Sequence, residues 1–514
     1  MSSVTNPSSS QTYDDVSAFR RVGRFAKVLG LLLMSPVSMA AAEMEPAKPV
    51  SRTAKSQSKE GSNAGILKLE TVVAATLKYH PAVKGEREER VAADAEVLSA
   101  QGAFDPSIKG EALSFVTGGY TGQYGSMFVE KPLQLYGTKV FAGYRVGGGN
   151  FPIYDNYYQE TLSGGETQFG FEVPLLRDGP IDRRRTEIGK SESGQRIADA
   201  LIEQKKIELA RAAGLTYWDW TAARNKVRVY KKLLDVAIER DKQIAERVKR
   251  GDLPEFDRVD NQRAVMQRQA QLLAAERAVK SSEYFLALFY RDEKGQPRSV
   301  ENRKSPDRIP IPMMVPHFSV EDQVAEATAA RPEFKNLQAQ HEQNNLELNL
   351  ARNQMKPRLD LRILSANDYG VGDPELVEAE VRAGLRLEIP LATRTQEGKI
   401  DYYEAKQRKI GFTQEFLKDR IRTDVQDALN ALEVAKQRVQ VVSSEVKAAK
   451  DLARGELKRF EFGDSNLIFV NLREQNAADA EVREIEALQD YQKAFVVFEA
   501  TLARIQKTKD TGKH

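Results

Sequence analysis

Two stretches in the second half of the chain alternate between apolar and polar positions. In residues 358–363 and 380–389, every odd-numbered position is apolar and every even-numbered position is charged or glycine. This period of two predicts β-strands. A strand with one apolar and one ionic face suits a membrane barrel with lipid outside and water inside. An amphipathic hairpin on the surface of a soluble α+β protein explains these two stretches equally well.

If the second stretch crosses a membrane, the alternation also predicts where each side chain points. Toward lipid we expect the apolar set Val381, Leu385, Leu387 and Ile389. Toward a water-filled lumen we expect the charged set Arg382, Arg386 and Glu388.

Residues 105–175 also have a strand-like composition, because they are rich in glycine and aromatic residues and alternate at 138–146 and 167–173. With the later hairpin at 357–391, this predicts about four strands per chain. A closed barrel needs roughly eight strands or more, so the chain must share its barrel with other copies. Three copies would supply about twelve strands.

Each strand region is followed by a long helical pattern. Residues 174–251 and 390–463 would each form a helix on the order of 100 Å long. The second carries apolar residues at the three- and four-residue spacing of a coiled coil. Shorter helices precede and follow both. The predicted fold is therefore mainly α-helical, with long helical hairpins and a membrane β-barrel.

Landmarks of the first half recur in the second half in the same order. The pairs are Pro81 and Pro332, Pro106 and Pro357, Glu-Val-Pro-Leu at 172–175 and Glu-Ile-Pro-Leu at 388–391, and Gly251-Asp252 and Gly463-Asp464. Fixed landmarks in fixed order predict a tandem repeat. Its units would be residues 65–290 and 319–506, joined by the proline-rich linker 291–318. The first hairpin region is longer by about 35 residues, whose role the sequence does not indicate.

The N-terminus predicts an export signal. A basic segment precedes the apolar run 28–34, and Ser38-Met39-Ala40 has the small-x-small pattern of a cleavage site. We expect residues 1–42 to be a signal peptide, 43–64 a disordered leader and 507–514 a tail. The apolar run falls short of the about 20 residues that span a bilayer, although an inner-membrane anchor is the alternative.

Composition excludes several classes of chemistry. The 514 residues include 77 basic and 74 acidic side chains, four histidines and no cysteine. No segment clusters lysine and arginine with interleaved aromatic residues, so we expect no nucleic-acid binding. The histidines lack the spacing of metal ligands, and phosphate-loop and serine-hydrolase motifs are missing. We therefore expect no enzyme activity, no catalytic residue, no metal and no cofactor.

The repeat, the order of its elements, the Glu-[Val/Ile]-Pro-Leu strand ends and the glycine turns together resemble the TolC-like outer membrane efflux protein family, over about residues 65–506. The resemblance implies a homotrimer whose twelve-stranded outer membrane barrel continues into a periplasmic α-helical tunnel. It implies a passive exit duct for efflux or type I secretion. Its partners would be outer-membrane lipid, a periplasmic membrane-fusion adaptor and an inner-membrane transporter. Whether the exported substrate is a drug, metal, protein or polysaccharide cannot be read from the chain.

In this family two turns at the periplasmic tip contact the adaptor. Here they are Gly251, Asp252 and Leu253, and Gly463, Asp464 and Ser465. An acidic residue shortly after the first tip glycine helps to close the tunnel, and Asp257 matches it. At the second turn the corresponding positions hold Phe469 and Leu472. The resemblance therefore leaves two alternatives for the gate. Either these apolar side chains form it, or Asp257 and Asp260 do.

A soluble periplasmic coiled-coil scaffold or adaptor is the alternative function. It would explain the helices but would leave the apolar positions of residues 381–389 without a partner. Membrane fractionation separates the two hypotheses.

Overall fold

The computed structural model describes residues 65–152, 160–310 and 319–504. The predicted signal peptide, leader and C-terminal tail, and the last part of the predicted linker, lie outside these residues.

In the described residues, a helix pair, a group of strands, a long helix and a shorter helix follow one another twice. The first half contains α1 Leu69–Tyr79, α2 Pro81–Gln101, β1 Ser107–Ser114, β2 Gln123–Pro132, β3 Lys139–Gly148, β4 Glu166–Pro174, α3 Arg183–Lys249 and α4 Glu255–Ala287. The second half contains α5 Val320–Ala330, α6 Pro332–Gln354, β5 Arg358–Asp368, β6 Glu380–Glu388, α7 Arg394–Glu461 and α8 Leu467–Thr501.

Local sequence explains where the helices begin. Pro81 and Pro332 lie in the first turns of α2 and α6. Proline lacks a backbone N–H group, but N–H groups in the first turn have no acceptor within the helix, so the helix loses no hydrogen bond. Asp182 precedes α3, and its carboxylate accepts a hydrogen bond from the backbone N–H of Arg185 at 3.0 Å. Such a cap satisfies one of the free N–H groups at the start of a helix.

The six strands form one antiparallel sheet in the order β1-β2-β3-β4-β5-β6. The pairing of β4 with β5 joins the two halves of the chain, with Phe171 opposite Ile363. The prediction of four strands per chain is therefore wrong, because β1 and β2 precede the two strands expected in the first half. Glycine and serine interrupt the apolar positions of β1 and β2, so their alternation is weak in the sequence.

The helices pack lengthwise against one another. The 67-residue α3 lies against α2, α4, α6 and α8, and the 68-residue α7 lies against α5, α6 and α8. Each of these two helices is on the order of 100 Å long. The buried residues of α7 between Val425 and Val446 are mostly three or four positions apart, as in a coiled coil. None of the described helices is both long enough and apolar enough to cross a membrane.

A hydrophobic cluster joins α3, α7, α8 and part of the predicted linker. Trp220 of α3 and Phe498 of α8 are buried there. Val300 and Ile309 of the linker are buried in the same cluster. The described part of the linker therefore contributes to the core.

Candidate functional site

The register of the sheet sorts its side chains into two faces, because residues opposite each other on neighbouring strands point to the same side. We call one of them the apolar face. From β6 to β1 it includes Val381, Ala383, Leu385, Leu387, Leu359, Leu361, Ile363, Phe169, Phe171, Val173, Val140, Ala142, Val146, Met127, Val129, Ile108 and Ala112. Among the strand residues on this face, Lys131 at the end of β2 is the one charged side chain.

We call the opposite side the charged face. From β6 to β1 it includes Glu388, Arg386, Arg382, Glu380, Arg358, Asp360, Arg362, Asp368, Glu166, Glu172, Lys139, Arg145, Glu130, Lys109 and Glu111. The alternation detected in four stretches of sequence thus extends across all six strands.

Exposed apolar side chains on one face and buried carboxylates at the centre of the other reverse the burial pattern of a water-soluble protein. On the apolar face, Val381 is 74% exposed and Phe169 is 63% exposed. On the charged face, Glu166 is 0% exposed and Asp360 is 3% exposed. Charged residues are rarely fully buried unless paired, and a broad exposed apolar surface marks a contact with lipid or another protein.

The structure places the predicted strand residues on opposite faces. Val381, Leu385 and Leu387 lie on the apolar face, while Arg382 and Arg386 lie on the charged face together with Glu388. Ile389 follows the last residue of β6 and is exposed. Their orientation toward lipid or lumen stays a prediction.

An ionic network links strands on the charged face. The Arg145 guanidinium of β3 pairs with the Glu166 carboxylate of β4. Arg382 of β6 lies 3.3 Å from the same carboxylate and donates to Glu380 at 2.8 Å. The carboxylate of Asp368 accepts a hydrogen bond from the backbone N–H of Leu162 at 3.0 Å. These contacts compensate charges that are largely withdrawn from water.

Three carboxylates of this network, those of Glu166, Asp368 and Glu380, lie within 4.8 Å of one another. A group of this kind could hold a metal ion if the oxygens were free. Here Arg145 and Arg382 already supply positive charge to it. We therefore assign the group to the ionic network of the charged face.

Both tip turns end their long helices with the same hydrogen bonds. The N–H groups of Gly251 and Asp252 donate to carbonyls three and five residues earlier, each at 2.9 Å. Those of Gly463 and Asp464 do the same at 3.1 and 2.9 Å. The two glycines have φ values of 80° and 84°. This is the Schellman motif, in which glycine adopts the left-handed conformation at low cost.

Each tip turn leaves its backbone accessible. A Cβ atom added to Gly251 or Gly463 would meet no other atom within 4 Å. Leu253 is partly buried, and the hydroxyl of Ser465 hydrogen-bonds to the carboxylate of Glu456 on α7. An approaching partner could therefore reach the turn without displacing a side chain.

The four gate candidates lie within the first two turns of α4 and α8. Asp260 pairs with Arg263 at 3.2 Å, while Asp257 lies one turn earlier and is partly buried. Phe469 and Leu472 are exposed on α8. Within the part of the chain that the structure describes, no hydrogen bond or ion pair joins these four side chains to one another. Their part in closing a channel stays a prediction.

Sequence reasoning missed a buried ionic cluster near the tip turns, which we call the tip clamp. Glu474 of α8 accepts hydrogen bonds from Arg240 of α3 at 2.8 Å and from Arg268 of α4 at 3.2 Å. Arg268 is 2% exposed and also donates to the carbonyl of Leu233 at 3.2 Å. Burial lowers the pKa of Arg268. In the sequence these arginines look like the many exposed ones, so no local signal distinguishes them.

Comparison with known proteins relates the fold to membrane channels. No family model matches the chain, and no curated protein matches it. The CmeC outer membrane channel of Campylobacter jejuni matches with a TM-score of 0.56 and 16% identity over 85% of each chain. The MtrE outer membrane channel of Neisseria gonorrhoeae matches at 0.58 and 15%, over 85% of this chain and 88% of that one.

The outer membrane protein VceC of Vibrio cholerae matches with a TM-score of 0.59 and 12% identity, over 85% of this chain and 96% of that one. Likenesses at such low identity establish the fold. They confirm the fold that the sequence resemblance implied, a mostly helical chain with an antiparallel sheet. The chain shares its fold with these outer membrane proteins.

Proposed function

We propose that this chain forms a trimeric outer membrane channel that serves as a passive exit duct for efflux or type I secretion. The observation that carries the proposal is the sheet, whose apolar face is exposed while the ion-paired Glu166 at the centre of its charged face is buried. The outer membrane channels that share the fold support it.

In this proposal the apolar face contacts lipid and the charged face lines a water-filled lumen. Charged side chains at the bilayer midplane are costly on the lipid side and tolerated on the lumen side of a barrel. The ionic network of Arg145, Glu166 and Arg382 would then brace the wall from within.

The long helices α3 and α7 would carry the duct across the periplasm. Each of these helices is on the order of 100 Å long and reaches far beyond the sheet. The two tip turns at their ends would contact a periplasmic adaptor, which connects the duct to an inner-membrane transporter that supplies the energy. Asp257 and Asp260, or Phe469 and Leu472, would narrow the entrance beside these turns.

The alternative, a soluble periplasmic scaffold, is not favoured. Such a protein would have to cover the apolar face of all six strands with another protein surface. Exposed apolar patches of this extent are unusual in soluble monomers.

Membrane fractionation followed by planar-bilayer recording tests the proposal. We expect the chain in the outer membrane fraction, as a detergent-stable trimer that conducts ions without added nucleotide. A water-soluble monomer in the periplasmic fraction would contradict the proposal.

A further inference from the structure

Among the residues that the structure describes, the sheet has two unpaired edges, β1 and β6. An edge strand exposes a row of N–H and C=O groups, and in the hydrocarbon of a bilayer no water is present to satisfy them. Membrane barrels have eight strands or more, so the six strands of one chain do not form such a barrel by themselves. If the sheet lies in a membrane, as the proposed function requires, each edge must pair with an edge of another copy.

The topology permits this pairing. The strands are antiparallel throughout and even in number, so β1 and β6 run in opposite directions. The β1 of one copy can therefore continue the antiparallel sheet beside the β6 of the next. Registers that join apolar face to apolar face differ from one another by steps of two residues.

Charge distinguishes one register from those a single step away on either side. On β1 the charged face carries Lys109 and Glu111, and on β6 it ends with Arg386 and Glu388. Placing Glu111 opposite Arg386 also places Lys109 opposite Glu388, so both pairs attract. A shift of two residues one way sets Lys109 against Arg386, and the other way sets Glu111 against Glu388. Like charges directly opposite each other destabilise a sheet.

The apolar side of the same register also fits by size. It places Gly110 opposite Leu387 and Ala112 opposite Leu385, so a small residue meets a large one in each pair. Within the described part of the chain, the side chains of Glu111 and Arg386 have no ion pair or hydrogen bond assigned to them. Each would gain its partner from the neighbouring copy.

We propose that β1 of one copy pairs with β6 of the next in this register, and that three copies of the six-strand sheet close into an eighteen-stranded barrel. For strands about 4.8 Å apart and tilted by about 40°, the backbone diameter is roughly 36 Å, against roughly 24 Å for twelve strands. The two additional strands per chain would thus widen the outer membrane end of the duct by about half.

Cysteine cross-linking tests the register. The chain has no cysteine, so Glu111→Cys combined with Arg386→Cys introduces only two thiols per chain. Directly opposite residues of antiparallel strands have Cα atoms about 5 Å apart, within disulfide reach. Oxidation of outer membranes should then give a reducible covalent ring whose largest product is three copies. The matched control, Glu111→Cys with Glu388→Cys, should cross-link several-fold less.

The outcomes separate this inference from the proposed function. Equal or stronger cross-linking of the control pair would overturn the register while leaving a channel in the outer membrane. A largest covalent product of two copies would overturn the eighteen-stranded closure. Absence of the unmodified chain from the outer membrane would count against the proposed function itself.

A charge exchange provides an independent test. Glu111→Arg or Arg386→Glu alone should reduce the trimer fraction in mild detergent, because each places like charges across the interface. The double variant should restore the trimer, since opposite charges again face each other. A double variant no better than either single variant would overturn the pairing.

Discussion

At the scale of single residues, the tip clamp is the most consequential feature that was found only in three dimensions. Two guanidinium groups on α3 and α4 share one carboxylate on α8. The cluster therefore ties the first helical hairpin to the second, close to the turns that we propose meet a partner. Removing one member of a buried ionic cluster leaves the others charged and uncompensated.

Glu474→Ala should lower the free energy of unfolding by about 3–5 kcal/mol, because Arg240 and Arg268 would remain buried without their carboxylate. Chemical denaturation in detergent, followed by helical circular dichroism, measures the change. The matched control is Glu445→Ala, which removes a carboxylate paired with Arg483 on the exposed surface. That pair should contribute less than about 1 kcal/mol. Equal losses of the free energy of unfolding in the two variants would show that the tip clamp stabilises the fold no more than a surface ion pair does.

Gly251→Val and Gly463→Val should abolish export while leaving outer membrane assembly unchanged. A side chain at these positive φ values raises the conformational free energy of the turn by roughly 1–2 kcal/mol. The turn is then distorted, but the helices stay folded. Export of substrate and cross-linking to the adaptor are the measurements. Gly455→Ala is the control, because that glycine lies inside α7 with open space around it. Normal export by both valine variants would refute the role of the tip turns.

At the scale of elements, β6 displays both faces of the sheet in one strand. Leu385 is exposed on the apolar face, and its neighbour Gly384 lies on the charged face between Arg382 and Arg386. A substitution that adds charge at either position therefore probes the environment of one face. The two positions are adjacent in the sequence, so the two substitutions test the two faces at the same point along the strand.

Leu385→Arg should cost roughly 2–4 kcal/mol of barrel stability, because it places a charge in lipid near the middle of the strand. Gly384→Glu should be tolerated, since its carboxylate would lie in the lumen between two arginines. The thermal stability of the detergent-solubilised trimer measures both. If Gly384→Glu is the more damaging, the assignment of lipid and lumen is reversed.

At the scale of the whole molecule, one core joins distant parts of the chain. Tyr217 of α3 is buried in the hydrophobic cluster that joins α3, α7, α8 and the linker, and its hydroxyl donates to the carbonyl of Leu67 at 2.9 Å. Leu67 precedes the first helix, so this contact anchors the start of the described chain to the helical body. Burial raises the pKa of Tyr217 to about 12.

This shift predicts a loss of stability at high pH. Between about pH 10 and pH 12 the unfolded tyrosine releases its proton while the folded one keeps it, so the free energy of unfolding falls by about 3 kcal/mol. The contribution is complete below about pH 10 and is lost as the pH rises through the folded pKa. In Tyr217→Phe the free energy of unfolding should fall less over this pH range, and the difference from the unmodified protein should equal this amount. Identical pH profiles for the two proteins would contradict the burial argument.

The sequence by itself determined features that depend on local periodicity and on turn chemistry. A period of two marked residues 358–363 and 380–389 as strands and sorted their side chains into two sets, since successive side chains of a strand point to opposite sides. Helical spacing and the two tip glycines predicted long helices that end at Gly251 and Gly463. These features need no knowledge of what lies across from them.

Tertiary structure alone decided how many strands the chain has and which strands are neighbours. Antiparallel pairing fixes the backbone of β1 and β2 and compensates for the weak alternation of their side chains. In the same way β4 pairs with β5, although nearly two hundred residues of sequence separate them. The tip clamp brings together Arg240, Arg268 and Glu474 from three helices. Burial and pairing of this kind depend on non-local contacts, and no property of a single stretch of sequence encodes them.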